Sequence, residues 1–261
     1  MELWLLNHFS ALTLTLVIVG GFVLLAVAGS ILTCRRYPAL ARGDHNEMVG
    51  VVLGMFGAIY GIILAFVIVN LWTQLETAST VVATEATSAS KIVRDVGAFP
   101  AEPRAAVNAA VRDYVHAVVE ETWPRMKAGT ADYLVAGARV EAVYTALRAY
   151  EPQSAVEQAY YEQAVASLDD VVTQRRARID QSNQELPILL KVLVLGGALV
   201  MLPLTFLYGS RSRRIRLVFV GAVAALIGFS LLLVVVLDRP FAGDLSVSPA
   251  PFKESALAQF W

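Results

Sequence analysis

The sequence predicts an all-α integral membrane protein with four transmembrane helices and a helical extramembrane bundle inserted between spans two and three. Hydrophobic residues make up 57% of the 261 residues and charged residues only 16%, whereas a soluble domain carries about 25% charged residues. Four uncharged stretches are each long enough to cross a bilayer, which takes about 20 mostly apolar residues. The formal net charge is −1, and this lack of a basic excess argues against a nucleic-acid partner.

The ends of the four spans are marked by charged residues. Uncharged runs of 32, 28, 19 and 21 residues separate Glu2 from Arg35, Glu47 from Glu76, Lys191 from Arg211, and Arg216 from Asp238. Their most apolar parts are residues 11–33, 49–72, 188–208 and 216–237. The first run is too long for the apolar core of a signal peptide and lacks a basic start, so we expect an uncleaved anchor. The predicted organisation is spans one and two (1–72), the bundle (73–185), spans three and four (186–238) and an extended C-terminal tail (239–261).

Helical spacing of apolar residues runs through the segment 73–185, which shows no strand-like alternation. One helix is predicted to continue from span two to about Val96, and others to cover about 104–122, 131–150 and the stretch after Pro152. Ser154 and Glu157 have the spacing of a capping box at the start of the last of these helices. Near its end lie three basic residues, Arg175, Arg176 and Arg178. We favour a helix end beside lipid headgroups for them over an anion-attracting patch.

Arginines in two short loops predict the orientation. Loop 34–48 holds Arg35, Arg36 and Arg42, and loop 209–215 holds Arg211, Arg213 and Arg214. Short basic loops stay on the cytoplasmic side of a membrane. The helical domain and both termini are therefore predicted to lie outside, and the 11 basic and 16 acidic residues of segment 73–185, a net charge of −5, agree with export.

Motifs for catalysis or metal binding are missing from the sequence. The three histidines are scattered along the chain and Cys34 is the one cysteine. We find no phosphate-binding glycine loop, no GxSxG and no HExxH. The protein is therefore predicted not to be an enzyme, and we expect no catalytic residues, no metal site and no cofactor.

Span two carries the strongest pattern. Its glycines fall at intervals of 4, 3 and 4 along one side of a helix: Gly50, Gly54, Gly57 and Gly61. Small residues at this spacing let a second helix approach closely within a membrane. The sequence therefore predicts a helix-packing side, continued beyond the membrane by apolar residues such as Val82, Ala86 and Val93.

The opposite side of span two is the candidate pore lining. Alternating steps of four and three place these residues on it: Phe56, Tyr60, Ile63, Val67, Asn70, Gln74, Thr77, Thr84, Ser88 and Lys91. Around a symmetry axis, the four bulky residues would form a constriction that gates by dewetting, and Lys91, with Arg94 one turn on, would form a ring of positive charge. Alternatively, the bulky residues face lipid and the polar ones face water. A 3.5-residue step drifts by about 20° per heptad on a straight helix, so a single face requires supercoiling.

The C-terminal tail carries a family resemblance. Its residues include Asp238, Arg239, Pro240, Phe241 and Gly243, followed by Val247-Ser248-Pro249 and Phe252. This tail resembles the signature that closes the bestrophin-like domain family of mostly bacterial membrane proteins. Further matching features are Tyr60-Gly61, Ala65-Phe66-Val67, Trp72, Glu85-Ala86 and the stretch from Tyr114 to Trp123-Pro124.

The resemblance implies a homo-oligomer in the plasma (inner) membrane of a bacterium. Through a more distant similarity to true bestrophins, it implies a pentameric channel for small anions with the second span lining the pore. The expected partners are therefore the lipid bilayer, identical subunits and small anions. The alternative is a non-conducting membrane scaffold or envelope sensor whose helical outer domain binds a partner.

Overall fold

The computed structural model describes residues 2–38, 43–134, 136–210 and 212–261. These residues form helices, turns and loops and contain no β-strand. Four helical stretches are long and apolar enough to cross a membrane. The all-α class and the four candidate spans are thus confirmed. Arg42 and Arg211, on which the predicted orientation partly depends, lie outside the described residues.

The α-helices follow one another with short connections. They are α1 (Glu2–His8), α2 (Ala11–Arg36), α3 (Asn46–Asp95), α4 (Ala101–His116), α5 (Trp123–Ala128), α6 (Gly137–Arg148), α7 (Ala155–Asn183), α8 (Ile188–Phe206) and α9 (Arg213–Leu237). A π-helical turn, Ala117–Thr122, joins α4 to α5, and short 3-10 helices cover Val96–Ala98, Ala250–Lys253 and Ser255–Phe260. The chain folds into two compact units. One contains Met1–Thr73, Glu185–Asp238 and Gly243–Leu245, and the other contains Gln74–Gln184, Arg239–Ala242 and Ser246–Trp261.

In the first unit, α2, α8 and α9 pack closely against one another. Ala26 of α2 forms a buried cluster with Val220 and Ala224 of α9. Further along, a Cβ added at Gly228 would lie 3.2 Å from the Cα of Val19. Within lipid no hydrophobic driving force brings helices together, so they associate through close van der Waals packing. A small residue at this position allows the two backbones to approach that closely.

The second unit has a single apolar core. The inward side of α3 contributes Ala78, Val82, Ala86, Ala89 and Val93 to it, and Val96 follows in the 3-10 helix after α3. The predicted cap at the start of α7 is present, because the Ser154 hydroxyl accepts a hydrogen bond from the Glu157 N–H at 3.2 Å, but the return bond of the box comes from the residue before Ser154. The Glu157 carboxylate in turn accepts from the Gln153 N–H at 2.8 Å. Together these bonds satisfy two amide donors before the helix has its own acceptors for them.

Several predicted boundaries are wrong. The second bundle helix does not end near 122, because α4, the π-helical turn and α5 follow one another without a break to Ala128. The third helix begins at Gly137 instead of near 131. Much of the tail is folded into 3-10 helices and is not extended, since the fixed φ of Pro249 and Pro251 suits a tight helical turn as well as a strap.

Candidate functional site

Helix α3 is one continuous helix of 50 residues, and it carries all of the candidate pore-lining residues. They separate into two rows, each with a seven-residue spacing. The first row is at the surface or half-buried and contains Phe56, Ile63, Asn70, Thr77, Thr84 and Lys91. The second row is largely buried and contains Tyr60, Val67, Gln74 and Ser88, of which only Gln74 is half-buried.

The burial of the second row corrects the predicted pore lining. Tyr60, Val67 and Ser88 are 8%, 5% and 2% exposed within a single chain. Association with further chains only removes accessible surface, so these three side chains do not line a pore. The two rows begin four residues apart, which is about 40° around an α-helix, and the second row lies on the side that the rest of the chain covers. The interpretation of the first row as pore-lining stays a prediction.

Tyr60 is held against α8. Its hydroxyl donates a hydrogen bond to the Val194 carbonyl at 2.8 Å. Its ring occupies the space beside Gly197, where an added Cβ would lie 2.2 Å from the ring. The absence of a side chain at Gly197 therefore lets the tyrosine dock, and the bulky residues left at the surface of the first row are Phe56 and Ile63.

The four glycines of α3 do not share one environment. A Cβ added at Gly57 would lie 3.5 Å from Met201, and one added at Gly50 would lie 4.0 Å from Tyr208. No described atom lies within 4 Å of a Cβ added at Gly54 or Gly61. The helix approach predicted for Gly54 and Gly61 is therefore not made by the described part of this chain.

Beyond the apolar stretch, α3 borders an open groove of about 370 Å³. Its lining residues are Ser79, Thr80, Ala83, Thr84, Thr87, Ser88, Lys91 and Asp170. The hydroxyls of Thr80, Thr84 and Thr87 donate to the carbonyls four residues earlier, at 3.0, 2.8 and 2.7 Å. Because these donors are used, the three hydroxyls present oxygen lone pairs to the groove. Lys91 and Asp170 supply its positive and negative charge.

Sequence reasoning missed a buried ion pair between α3 and α7. Glu85 and Arg178 are both 0% exposed. The Arg178 Nε donates to Glu85 Oε2 at 2.7 Å, and its Nη2 donates to Oε1 at 3.0 Å. The Tyr114 hydroxyl donates to the same carboxylate at 2.5 Å. Burial, and then the charge of Glu85, raises the pKa of Tyr114 well above its ordinary value, so it remains a donor.

This ion pair also corrects the interpretation of the basic cluster. Arg175 and Arg178 are buried, and of the three arginines only Arg176 is exposed. One Arg175 nitrogen donates to the Tyr133 carbonyl. Arg175 and Arg178 are therefore core residues of the second unit, and of the three only Arg176 has a side chain that a headgroup could reach. The sequence signal that points to this ion pair is Glu85, because it is a charged residue on a side of α3 that otherwise carries apolar or small residues.

Aromatic residues of the tail complete this core. The Arg178 guanidinium lies 5.8 Å from the ring centre of Trp123. Trp123 in turn makes edge contacts with Phe241 and Phe252, with ring centres 5.7 and 6.3 Å apart. Trp123 and Phe252 thus meet in one cluster although they are 129 positions apart in the sequence.

The other residues of the tail motif fix backbone ends. Asp238 accepts from the Leu186 N–H at 2.6 Å and forms an ion pair with Lys191 at 2.7 Å. The Pro240 carbonyl accepts from the Val247 N–H at 2.8 Å, and the Arg239 carbonyl accepts from the Ala242 N–H at 3.1 Å. Gly243 has a φ of +81° and a Cβ there would lie 3.4 Å from the Leu6 carbonyl oxygen. Both features favour glycine.

The comparison with protein families matches these features. The Bestrophin-like domain matches residues 20–252. The chain belongs to the Bestrophin-like family. Neither the search of the curated proteins nor that of the solved structures gave a match. The Bestrophin-like match contains the Glu85, Tyr114, Trp123, Phe241 and Phe252 cluster, so residues on which the resemblance rests are those that build the core of the second unit.

Within the described residues, no group of three or more His, Cys, Asp or Glu side chains is placed to hold a metal ion.

Proposed function

We propose that this Bestrophin-like protein is a homo-oligomeric membrane ion channel for small anions, with α3 lining the pore. The observation that carries the proposal is the first row of α3. It stays at the surface or half-buried from Phe56 to Lys91, changing from apolar to polar residues at Asn70. A surface that is apolar within the membrane and polar beyond it is what a pore-lining helix needs on both sides of a hydrophobic gate.

Each part of the first row would have its own role in the proposed pore. Phe56 is 49% exposed and Ile63 is half-buried, so both have free surface to form a dewetting constriction around an axis. Asn70, Thr77 and Thr84 would line the wet part. Lys91 would then supply a ring of positive charge, and that ring is the basis for proposing anions.

Contacts between subunits would use the two glycines of α3 beside which no described atom lies within 4 Å of an added Cβ. Gly54 and Gly61 are exposed, and so are Ala58 and Ala65 on the same side of the helix. These four small residues let another span of a neighbouring copy approach closely. By the similarity to true bestrophins, the number of copies is five.

Halide flux into liposomes that contain the purified protein tests the proposal. Phe56→Ala and Ile63→Ala should each raise the flux, because a smaller side chain lowers the cost of wetting the constriction. Phe66→Ala and Ile62→Ala are matched controls on the same helix, since their side chains are 74% and 59% exposed but lie outside the first row. The controls should leave the flux unchanged.

Two results would contradict the channel. Flux that is unchanged in both first-row variants would mean that Phe56 and Ile63 do not form the constriction. No halide flux from folded protein in any of the samples would favour the alternative, a membrane scaffold or envelope sensor whose helical unit binds a partner.

We infer in addition that the protein lies in a bacterial plasma (inner) membrane with its arginine-rich loops in the cytoplasm and its helical unit and both termini outside. Arg213 and Arg214 are exposed at the start of α9, as the rule on basic loops requires. A cysteine at exposed Thr130 in a Cys34→Ser background should react with a membrane-impermeant maleimide in intact cells. A cysteine at exposed His45 should react only after the cells are opened, and the reverse pattern would invert the topology.

A further inference from the structure

The packed seam between α2 and α9 ends in two polar side chains. Val19 of α2 lies beside Gly228 of α9, and Ala26 clusters with Val220 and Ala224. Residue numbers therefore rise along one helix as they fall along the other, so the pair is antiparallel. One turn beyond this cluster, the next buried residue on α2 is Ser30 and the next buried residue on α9 is Arg216.

Each of these side chains has a buried polar atom without a hydrogen-bond partner in the described part of the chain. Arg216 is 8% exposed and Ser30 is 0% exposed. The Nε of Arg216 and the Oγ of Ser30 have no hydrogen-bond partner among the described residues. A buried guanidinium is costly unless an opposite charge and hydrogen bonds compensate it. The seam therefore ends at a positive group to which the described residues supply no counter-charge.

The surroundings of Arg216 attract an anion. Arg35 and Arg36 end α2, and the exposed Arg213 and Arg214 begin α9. The N-terminus of α9 adds the positive end of its helix dipole. The electrostatic potential at this end of the seam is thus positive.

We propose that Arg216 binds a phosphate group, and that the phosphate is that of an anionic membrane lipid. A guanidinium offers a planar fork of donors that matches phosphate oxygens two at a time. Ser30 at the same level offers a hydroxyl. On the outer side of α9, Ile215 and Val218 are 65% and 72% exposed, so an acyl chain has apolar surface to follow while the headgroup reaches Arg216. Basic pockets between transmembrane helices bind anionic headgroups in this way. The proposal does not depend on whether the protein conducts ions.

Native mass spectrometry of the detergent-purified protein tests this site with two lipid probes, phosphatidylglycerol and phosphatidylcholine. The unchanged protein should bind phosphatidylglycerol more tightly. Arg216→Gln should weaken phosphatidylglycerol binding by about tenfold, the effect of losing one charge-assisted contact. Arg214→Gln is the comparison variant, because it removes an equal charge from an exposed position two residues away. It should weaken binding less than Arg216→Gln does, since solvent screens an exposed charge.

A second variant tests the site if Arg216→Gln does not fold, and a second probe distinguishes a lipid phosphate from a free phosphate ion. Arg216→Lys keeps the charge but loses the planar fork, so it should also weaken phosphatidylglycerol binding, and it serves if Arg216→Gln does not fold. Inorganic phosphate that raises the unfolding temperature of the unchanged protein, but not of either Arg216 variant, would support the phosphate site and assign it to the free ion. Equal loss in Arg216→Gln and Arg214→Gln would overturn the proposal, as would equal binding of the two lipids.

Discussion

Arg178 and Glu85 form an ion pair with both side chains at 0% exposure, although 93 positions separate them in the chain. Burial by itself lowers the pKa of the Arg178 guanidinium, but the charge and hydrogen bonds of Glu85 outweigh it and the pKa is raised. Arg178 donates to both carboxylate oxygens of Glu85, and Tyr114 donates a further hydrogen bond to Oε1. The pair ties α3 to α7, and α3 is the helix on which the proposed pore depends.

Breaking this pair should destabilise the helical unit strongly. Glu85→Ala leaves Arg178 buried without a counter-charge, which should cost about 3–5 kcal/mol of unfolding free energy. Chemical unfolding of the purified protein measures the change. The control is Arg176→Gln, an exposed arginine on the same helix, which should change stability by less than about 0.5 kcal/mol.

The double variant Glu85→Ala with Arg178→Met distinguishes a charge effect from loss of packing. Removing both charges should be less destabilising than the sum of the single changes, because no unpaired charge remains. Strict additivity would mean that the two side chains are not energetically coupled.

The difference between what the sequence predicts and what it misses has a physical cause. Hydrophobicity and charge are local properties, so the four spans, the continuous α3 and the cap at Ser154 follow from the sequence. The side of a long helix that its neighbours cover is not a local property, because it depends on where the other helices pack. For this reason the spacing places Tyr60 and Val67 together with the first row on the predicted pore side, although residues four positions apart lie about 40° apart around the helix. The role of Arg178 escapes a reading of the sequence because its partner Glu85 lies on another helix, and only the fold brings them together.

The docking of Tyr60 against α8 predicts an asymmetry between two adjacent glycines. Gly197→Ala would place a methyl group 2.2 Å from the Tyr60 ring, whereas nothing lies within 4 Å of a Cβ added at Gly196. Gly197→Ala should therefore lower stability by about 1–3 kcal/mol, the usual cost of overpacking, and Gly196→Ala should not. Thermal unfolding in detergent measures both. Replacing Tyr60 by Ala as well should abolish the difference between the two glycine variants, and a difference that persists would place the clash elsewhere.

Lys91 should set the charge preference of the proposed pore. Lys91→Glu reverses the positive ring and adds to the negative charge of Asp170 in the same groove. The reversal potential in a salt gradient across a planar bilayer should therefore shift toward that of cations. Arg94→Glu makes an equal charge change at an exposed position outside the first row and should shift the potential less. Equal shifts would mean that general surface charge, and not a ring at Lys91, sets the preference.

His116 should make docking of the last residues depend on pH. Its Nδ1 lies 3.0 Å from a Glu120 carboxylate oxygen and its Nε2 lies 3.0 Å from the Phe260 carbonyl oxygen. Both neighbours are acceptors, so both ring nitrogens must carry a proton for both hydrogen bonds to form. The ring also packs against Trp261, which in turn contacts the Lys253 ammonium.

The hydrogen bond to Glu120, and then that to Phe260, raises the pKa of His116 above its ordinary value of 6.5, while burial and the charge of Arg112 oppose the rise. A raised pKa stabilises the docked state below the ordinary pKa, and this stabilisation is lost as the pH rises through the raised pKa. Hydrogen exchange at Leu257 and Trp261, corrected for the intrinsic effect of pH, should therefore be slower at pH 6 than at pH 8. In His116→Gln the difference should vanish, and an equal pH dependence in both proteins would rule out His116 as its source.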